Sequence, residues 1–326
     1  MSTLRRITRV HSPRPSRQPR RPRVVVLGDL VIDVVLAPDG PLLAGTDVPG
    51  RVSIHQGGSA ANTARWLARL GVPTQLIGCV GRDPAGRALV SALRSDGVST
   101  RIVRTGADRT GRIGVLVTKD GERSFVADRG TADHLGPDDV RAAWFERVDL
   151  LHLPAYSLLG EPLGLAGRRA VGLARSAGAL VSLDLASTAP LLADGRRAAL
   201  ALVTSVAPDL MFATAAELGA LIGPSGRGDL RAVDLAPIVV VKRGPGGVSV
   251  LVRDGGPSRF DVATRSIPMA DTTGAGDAFD AGFIAEWLAS RAAGRSTNVA
   301  LRRAAVTGNR VAARQISVAR RELQLG

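Results

Sequence analysis

Short β-branched runs alternate with helix-like stretches along most of this chain, and that alternation restricts the folds open to it more than any other feature. "RVVVLGDLVIDVVL" (23–36) begins as a run of strand length that ends at Gly28, with Asp29 and Asp33 close behind. "QGGSAANTARWLARLG" (56–71) reads as a glycine turn and then a helix. Ala61, Ala64, Leu67 and Ala68 give that helix an apolar stripe, and Gly71 with Pro73 ends it. "TQLIGCVG" (74–81) is strand-like and "PAGRALVSALRSDG" (84–97) helical. From residue 148 the pattern continues through "VDLLHL", a helix near 161–177, "ALVSLDL", a helix near 190–201, "DLMFA", "AAELGALIG", "PIVVVKRG" and "GVSVLV". "GAGDAFDAGFIAEWLAS" (274–290) and "NVALRRAAVTGNRVAAR" (298–314) close the chain as helices. Alternation of this kind predicts parallel βαβ units. No internal repeat interrupts it.

Two stretches break the rhythm. Residues 35–56 lack a helical pattern and contain Pro38, Pro41 and Pro49. "TGRIGVLVTKDGERSFVADRG" (110–130) is strand, Asp120-Gly121 turn, strand, a hairpin by its chemistry. Segments of about 35–56 and 100–128 are therefore expected to meet as a small antiparallel sheet outside the main fold.

With 326 residues and 45% hydrophobic content the chain can build a substantial core, as one large α/β domain or two modest ones. Cys79 is the only cysteine, so no intrachain disulfide forms; it is expected in the core, and a reducing cytoplasm suits it. The net charge of +14 is unevenly spread. Eight arginines fall within residues 1–23 and no acid precedes Asp29, so this segment supplies more than half of the excess. Its Pro/Ser/Arg composition predicts a disordered tail over 1–22, more simply a solvated extension than a phosphate-binding arm. Nucleic acid is accordingly not the expected partner. The tail has no apolar segment of the secretory kind, and no apolar run approaches the ~18 residues of a membrane span. The lysines are Lys119 and Lys242, preceded by Thr118 and Val241, which excludes the Gly-Lys-Ser/Thr of a Walker phosphate loop.

The chemistry concentrates in "DTTGAGDAFDAGF" (271–283), where two glycines precede an apolar, helix-like segment with a carboxylate at the junction. Phe279, Gly282/Phe283 and Trp287 recur at helical spacing, so a helix begins near Gly276 and the N–H groups of 274–277 form its unpaired first turn. Such donors, at the positive end of the helix dipole, suit a phosphate. Glycine at 274 and 276 admits the ligand close to the backbone. Asp277 would then sit beside this anion hole, placed to accept a proton from an attacking hydroxyl. An isolated aspartate there is more often a helix cap.

Together with "GGSAANTARWLARLG" (57–71), this stretch resembles the two signature regions of the PfkB carbohydrate kinase family, also called ribokinase-like, and the similarity runs over about residues 23–318. "CVGRDPAG" (79–86), "DLMFATAAEL" (209–218) and "VVVKRGPGG" (239–247) resemble further family elements in the expected order. The resemblance implies an α/β fold, a Rossmann-like three-layer α/β/α sandwich with a small β-sheet lid. It also implies ATP as donor, Mg²⁺, and transfer of the γ-phosphoryl group to a sugar hydroxyl, with the lid closing over the sugar. Asp277 would be the base and the N–H groups of Gly274, Ala275 and Gly276 the anion hole. Asp33, Gly57, Gly58 and Asn62 would face the sugar. Lys242, Gly244 and Gly247 would border the nucleotide. Thr214 would lie near phosphates or metal, and Glu217 would orient Mg²⁺ directly or through water. Asp271 matches the position tied to a monovalent-cation site in members activated by K⁺.

Taken singly, Asp33 reads equally as a turn residue, Asn62 as a local backbone partner and Glu217 as a solvated helix residue. Asp83 and Gly86 read as a turn and helix start. Departures from the family pattern bear on the acceptor: Val31 stands where ribokinases carry Asn, and "PLLAGTD" leaves Asp47 as a shorter carboxylate than the usual Glu. Thr214 replaces an Asn, and "LLHLPAYSLL" lacks a sugar-binding acid. His152 reads as a core residue, and Arg129 equally as a partner for an anionic substrate or a surface charge. The acceptor is expected to be a small carbohydrate, with a nucleoside or a 2-keto-3-deoxy sugar acid as alternatives. A catalytically silent, nucleic-acid-associated regulator is the alternative from another class. Unpaired strand edges in the lid make a homodimer through it an expectation.

Overall fold

A computed structural model describes residues 20–118, 123–223, 228–265 and 271–325. Most of the expected tail, Lys119 and the Asp120-Gly121 turn lie outside these described residues. The first half holds β1 (Val24–Leu27), β2 (Val31–Pro38), β3 (Gly50–Gly57), α1 (Ser59–Arg69), β4 (Thr74–Gly81), α2 (Pro84–Ser95) and β5 (Ser99–Thr105). There follow β6 (Thr110–Val117), β7 (Arg123–Gly130), β8 (Leu150–Pro154), α3 (Leu163–Ser176), β9 (Leu180–Asp184), α4 (Thr188–Leu191) and α5 (Arg196–Val206). The last third contains β10 (Leu210–Thr214), α6 (Ala215–Ile222), β11 (Ile238–Lys242), β12 (Val248–Arg253), β13 (Pro257–Val262), α7 (Ala275–Ala292) and α8 (Thr297–Ile316).

A nine-stranded sheet in the order β13-β12-β11-β10-β9-β8-β1-β4-β5 forms the middle layer, parallel from β11 through β5. Its central strands read as continuous apolar runs because both faces are covered. Val24 and Val26 pack on one face with Leu210, Phe212, Val240 and residues of α1, α2, α7 and α8. Val25 and Leu27 pack on the other with Met211, Val239, Val241 and residues of α3, α5 and α6. Period-2 alternation thus feeds two cores from one sheet, which makes the three layers. The chain leaves β1 toward β4 on one side and has β8 on the other, so a crevice opens beyond the carboxyl ends of these strands.

The smaller sheet has the order β3-β2-β6-β7. It is mixed rather than wholly antiparallel, since β2 and β6 run parallel while each pairs antiparallel with its own neighbour. Its second segment also begins later than expected: Ser99–Thr105 is β5, laid parallel on β4 over seven residues because α2 returns the chain to that edge. Asp83 ties the two sheets. It accepts from Gly86 N at the start of α2 (2.8 Å) and from Thr110 N and Oγ1 at the start of β6, both at 2.7 Å. The helix expected near 190–201 is divided, because Gly195, at φ 86°, breaks the chain between α4 and α5. β12 and β13 leave the parallel pattern, β12 returning antiparallel on β11 through the Gly244–Gly247 turn.

Cys79 is buried in the core, and burial pushes its thiol up to about 12. His152 is also buried, its Nδ1 2.8 Å from Ser182 Oγ, and burial holds its imidazole down at about 4. α7 and α8 pack backbone to side chain through two glycines. A Cβ on Gly282 would lie 2.8 Å from Val311 Cγ2, and one on Gly308 would lie 2.8 Å from the Phe279 ring. Gly308→Val should therefore overpack this contact and lower stability by about 1–3 kcal/mol, measured as the denaturant midpoint. An unchanged midpoint would show that the helices can separate without cost.

Candidate active site

Gly274, at φ 73°, is the N-cap of α7, a left-handed conformation suited to glycine. No side chain caps this helix. The Ala275 N–H reaches Thr272 O at 3.2 Å, so one of the three expected anion-hole amides is partly used in the turn. The N–H groups of Gly276 and Asp277 find no acceptor among the described residues. Asp277 itself does not cap. Its Oδ1 accepts from Ser59 Oγ at 2.7 Å and its Oδ2 from Asn62 Nδ2 at 2.8 Å, both donors coming from the first turn of α1. Asp277 is half-buried as a residue, and the burial of its carboxyl pushes it up to about 7. The two hydrogen bonds pull in the other direction, and the nearby Asp184 adds to the rise.

Three parallel strands deliver the neighbouring groups at their carboxyl ends: Asp184 from β9, Thr214 from β10 and Lys242 from β11, the last two in register. Lys242 Nζ lies 3.1 Å from Asp184 and 3.2 Å from both oxygens of Asp280, which is one helical turn beyond Asp277. These carboxylates outweigh burial and hold the ammonium well above its ordinary range, whereas burial raises Asp280 strongly. Thr214 and Glu217 form a capping box at the start of α6: Glu217 N donates to Thr214 Oγ1 (3.2 Å) and Thr214 N to Glu217 Oε2 (2.7 Å). Burial and the charge of Asp184 raise the Glu217 carboxyl. A groove of about 270 Å³ runs past these strand ends, lined by Thr214, Lys242, Gly244, Gly247, Ala275 and Gly276 among others. The residues expected beside the nucleotide thus share one cleft with the start of α7.

The residues expected at the sugar lie on β2 and at the turn from β3 into α1, where Asn62 reaches Asp277. Asp33 on β2 packs against Gly57, where any Cβ would collide with its carboxylate, and Gly58 at φ 99° lies against the Asp29 backbone. Burial raises the Asp33 carboxyl, although Arg320 Nη1 donates to its Oδ2 at 2.6 Å. Asp29 accepts from Ala60 N and lies 3.5 Å from Arg129, which also bonds Asp133 and covers the Tyr156 ring. Arg129 is therefore already flanked by two carboxylates. Asp271 sits apart from the cleft floor. Its Oδ1 accepts from Arg123 Nη2 and Thr273 N, both at 2.8 Å, and its Oδ2 from Arg320 Nε at 2.9 Å; these bonds hold its carboxyl below the usual range despite burial.

Sequence reasoning missed Asp184, Asp280, Ser59, Arg123 and Arg320. Asp184 ends a strand as Asp29 follows one, and Asp280 stands at i+3 from Asp277, so both carried a legible signal. The two arginines carried none, since they reach Asp271 from segments distant in sequence.

Residues 21–320 match the pfkB family carbohydrate kinase pattern. The chain is 34% identical to a fructokinase from Klebsiella pneumoniae over 271 residues, covering 81% of this chain and 83% of that protein. It is 33% identical over 313 residues to an ATP-dependent ribose-1-phosphate kinase from Halopiger xanaduensis, covering 91% and 95%. Among solved structures, an adenosine kinase from Sinorhizobium meliloti superposes with a TM-score of 0.79 at 25% identity, covering 94% of this chain and 98% of that one. A Vibrio cholerae fructokinase bound to fructose, ADP and calcium ion superposes at 0.74 with 25% identity, covering 91% and 93%. With its family pattern matched over nearly the whole folded chain, this protein belongs to the pfkB family of carbohydrate kinases, phosphotransferases that act on a hydroxyl group.

Proposed function

We propose that the chain transfers the γ-phosphoryl group of ATP to a primary hydroxyl of a small neutral sugar, with a ketohexose such as fructose the first candidate. The observation that carries this reading is Asp277: a carboxylate brought to about 7, fixed by two donors, beside the free amides at the start of α7. A base with this affinity for protons is half charged near neutral pH and accepts a proton efficiently. The sugar hydroxyl attacks in line, Asp277 orients it and receives its proton late, and the Gly276 and Asp277 N–H groups hold the phosphoryl oxygens. Asp33 and the Gly57-Gly58 backbone position the sugar. Lys242 keeps its charge between Asp184 and Asp280 at the edge of the nucleotide groove. The small sheet covers the sugar and excludes water, which would otherwise compete as acceptor.

The donor set fits Mg²⁺. Among the described residues no group of three or more metal-ligating side chains forms a ready cage, and Mg²⁺ on phosphates needs only one or two carboxylates. Glu217 and Asp184 would hold it, directly or through water; bound there it would neutralise charge on the β- and γ-phosphates. A monovalent cation does not fit Asp271 as it stands, because two guanidiniums already occupy both its oxygens. We infer that turnover is the same in potassium and in tetramethylammonium buffers; a rate that collapses without K⁺ would contradict this. One face of the small sheet exposes Leu36, Val52 and Val126, which supports a homodimer through that sheet.

Asp277→Asn should keep the fold and nucleotide binding while losing roughly 10²–10⁴ in turnover, measured as ADP release over a panel of ketohexoses, aldoses, keto-sugar acids and nucleosides. Wild-type turnover in that variant would remove Asp277 from the mechanism, and preference for a nucleoside would change the acceptor class. Because the base must be unprotonated, kcat/KM should fall as pH drops below about 7. A flat profile down to pH 5 would show that no such group is needed.

A further inference from the structure

The segment that follows α8 folds back onto the small sheet. Leu323 N donates to Ile54 O at 2.7 Å, Glu322 bridges His55 in antiparallel fashion, and the Arg321 carbonyl oxygen lies 3.0 Å from His55 Nδ1. His55 is itself opposite Asp33 in the register of β2 and β3. Because β3 is the edge strand of its sheet, these contacts cover an edge that would otherwise stand unpaired. Leu323 is buried in the core that also holds residues of α1, α7 and α8. At the other end of the segment, Ile316 O accepts from Asp271 N at 3.3 Å. The Arg320 backbone is thus held on both sides, and its side chain is only 13% exposed.

From that position one guanidinium reaches two carboxylates. Its Nη1 donates to Asp33 Oδ2 at 2.6 Å and its Nε to Asp271 Oδ2 at 2.9 Å. Asp33 belongs to the proposed acceptor rim, and Asp271 opens the turn that leads to Gly274 and α7, so Arg320 joins the two. Arg123, from β7, reaches the same turn through Asp271 at 2.8 Å and through Thr272 Oγ1. Asp33 has little other freedom: its Oδ1 fills the space that a Cβ on Gly57 would take, and its side chain is buried. A carboxylate so enclosed is costly to keep charged unless a cation is fixed beside it, and the planar fork of arginine fixes direction as well as charge. Burial favours the neutral form of Asp33, and Arg320 opposes this. Hydroxyl groups of an acceptor need a carboxylate that is ionised and held still. We propose that Arg320 is a positioning residue for the acceptor: it fixes the Asp33 carboxylate that receives the acceptor hydroxyls, and through Asp271 it fastens the small sheet to the turn at the start of α7. The acceptor role rests on the kinase reading; the fastening of the sheet does not.

The test compares wild type with Arg320→Met in steady-state kinetics with fructose and ATP. KM for fructose should rise at least about tenfold, the worth of a hydrogen bond to a charged group, while KM for ATP stays within about twofold and kcat changes less than KM. An unchanged KM for fructose overturns the proposal. So does an equal rise in KM for ATP, since a general loosening of the fold would move both. Amide hydrogen exchange on the ligand-free proteins is the second measurement. β2 and β3 should exchange faster in Arg320→Met while β1 and β4 keep the wild-type rate. Unchanged exchange in β2 and β3 overturns the proposal as well. Should Arg320→Met not fold, Arg320→Gln, which keeps a polar donor without the charge or the reach to both carboxylates, makes both comparisons by the same criteria. If the kinase reading fails, wild type does not phosphorylate fructose, while exchange in β2 and β3 still separates the two proteins. If only this inference fails, wild type and variant turn over fructose with the same KM and exchange alike.

Discussion

The enclosed carboxylate of Asp277, held by Ser59 and Asn62 at the N-terminus of α7, is the interaction on which the rest of the site depends. Two constraints meet there. The helix start requires donors free of side-chain caps if it is to receive an anion, and the base requires a carboxylate kept from solvent if it is to hold a proton near neutral pH. One residue cannot both cap the helix and serve as base. The fold resolves the conflict by placing glycine at the cap and taking the two hydrogen bonds from α1 instead. α1 and α7 are brought together by the shared core beneath them, which includes Ala61, Ala64, Phe279 and Phe283.

The parallel sheet supplies the other half of the geometry. Because β9, β10 and β11 run parallel, their carboxyl ends place Asp184, opposite Phe212, and the paired Thr214 and Lys242 along one rim. Lys242 lies between two carboxylates there, and removing it would leave Asp184 and Asp280 facing each other inside a poorly solvated site. The small sheet rises beyond β1 and carries Asp33 to the opposite rim. The residues proposed for the nucleotide and those proposed for the acceptor therefore come from different sheets and approach each other at the start of α7.

Much of this was legible in the sequence because the relevant signals are local. The β-branched runs at 24–27 and 238–242 and the apolar run at 210–214 name buried strands, and the glycines at 274 and 276 announce a helix start open to a ligand. Asp277 is singled out by the motif, but whether it caps the helix depends on where Ser59 and Asn62 lie, more than two hundred residues away. The parallel pairing of β2 with β6 and the return of β5 to the large sheet were not legible, since register between distant strands leaves no periodic trace. Arg123 and Arg320, which converge on Asp271, were hidden for the same reason: on their own segments each is an ordinary surface arginine, and only the fold makes them partners.

The most direct test is to titrate the aspartate side-chain carboxyls by ¹³C NMR in wild type and in Asp277→Asn. A wild-type carboxyl that changes state near pH 7 and is missing from the variant is the result expected from the enclosed position of Asp277. A spectrum in which the Asp277 resonance titrates in the ordinary range of about 3–5 would contradict the account, because a carboxylate so well solvated could not be the proton acceptor described.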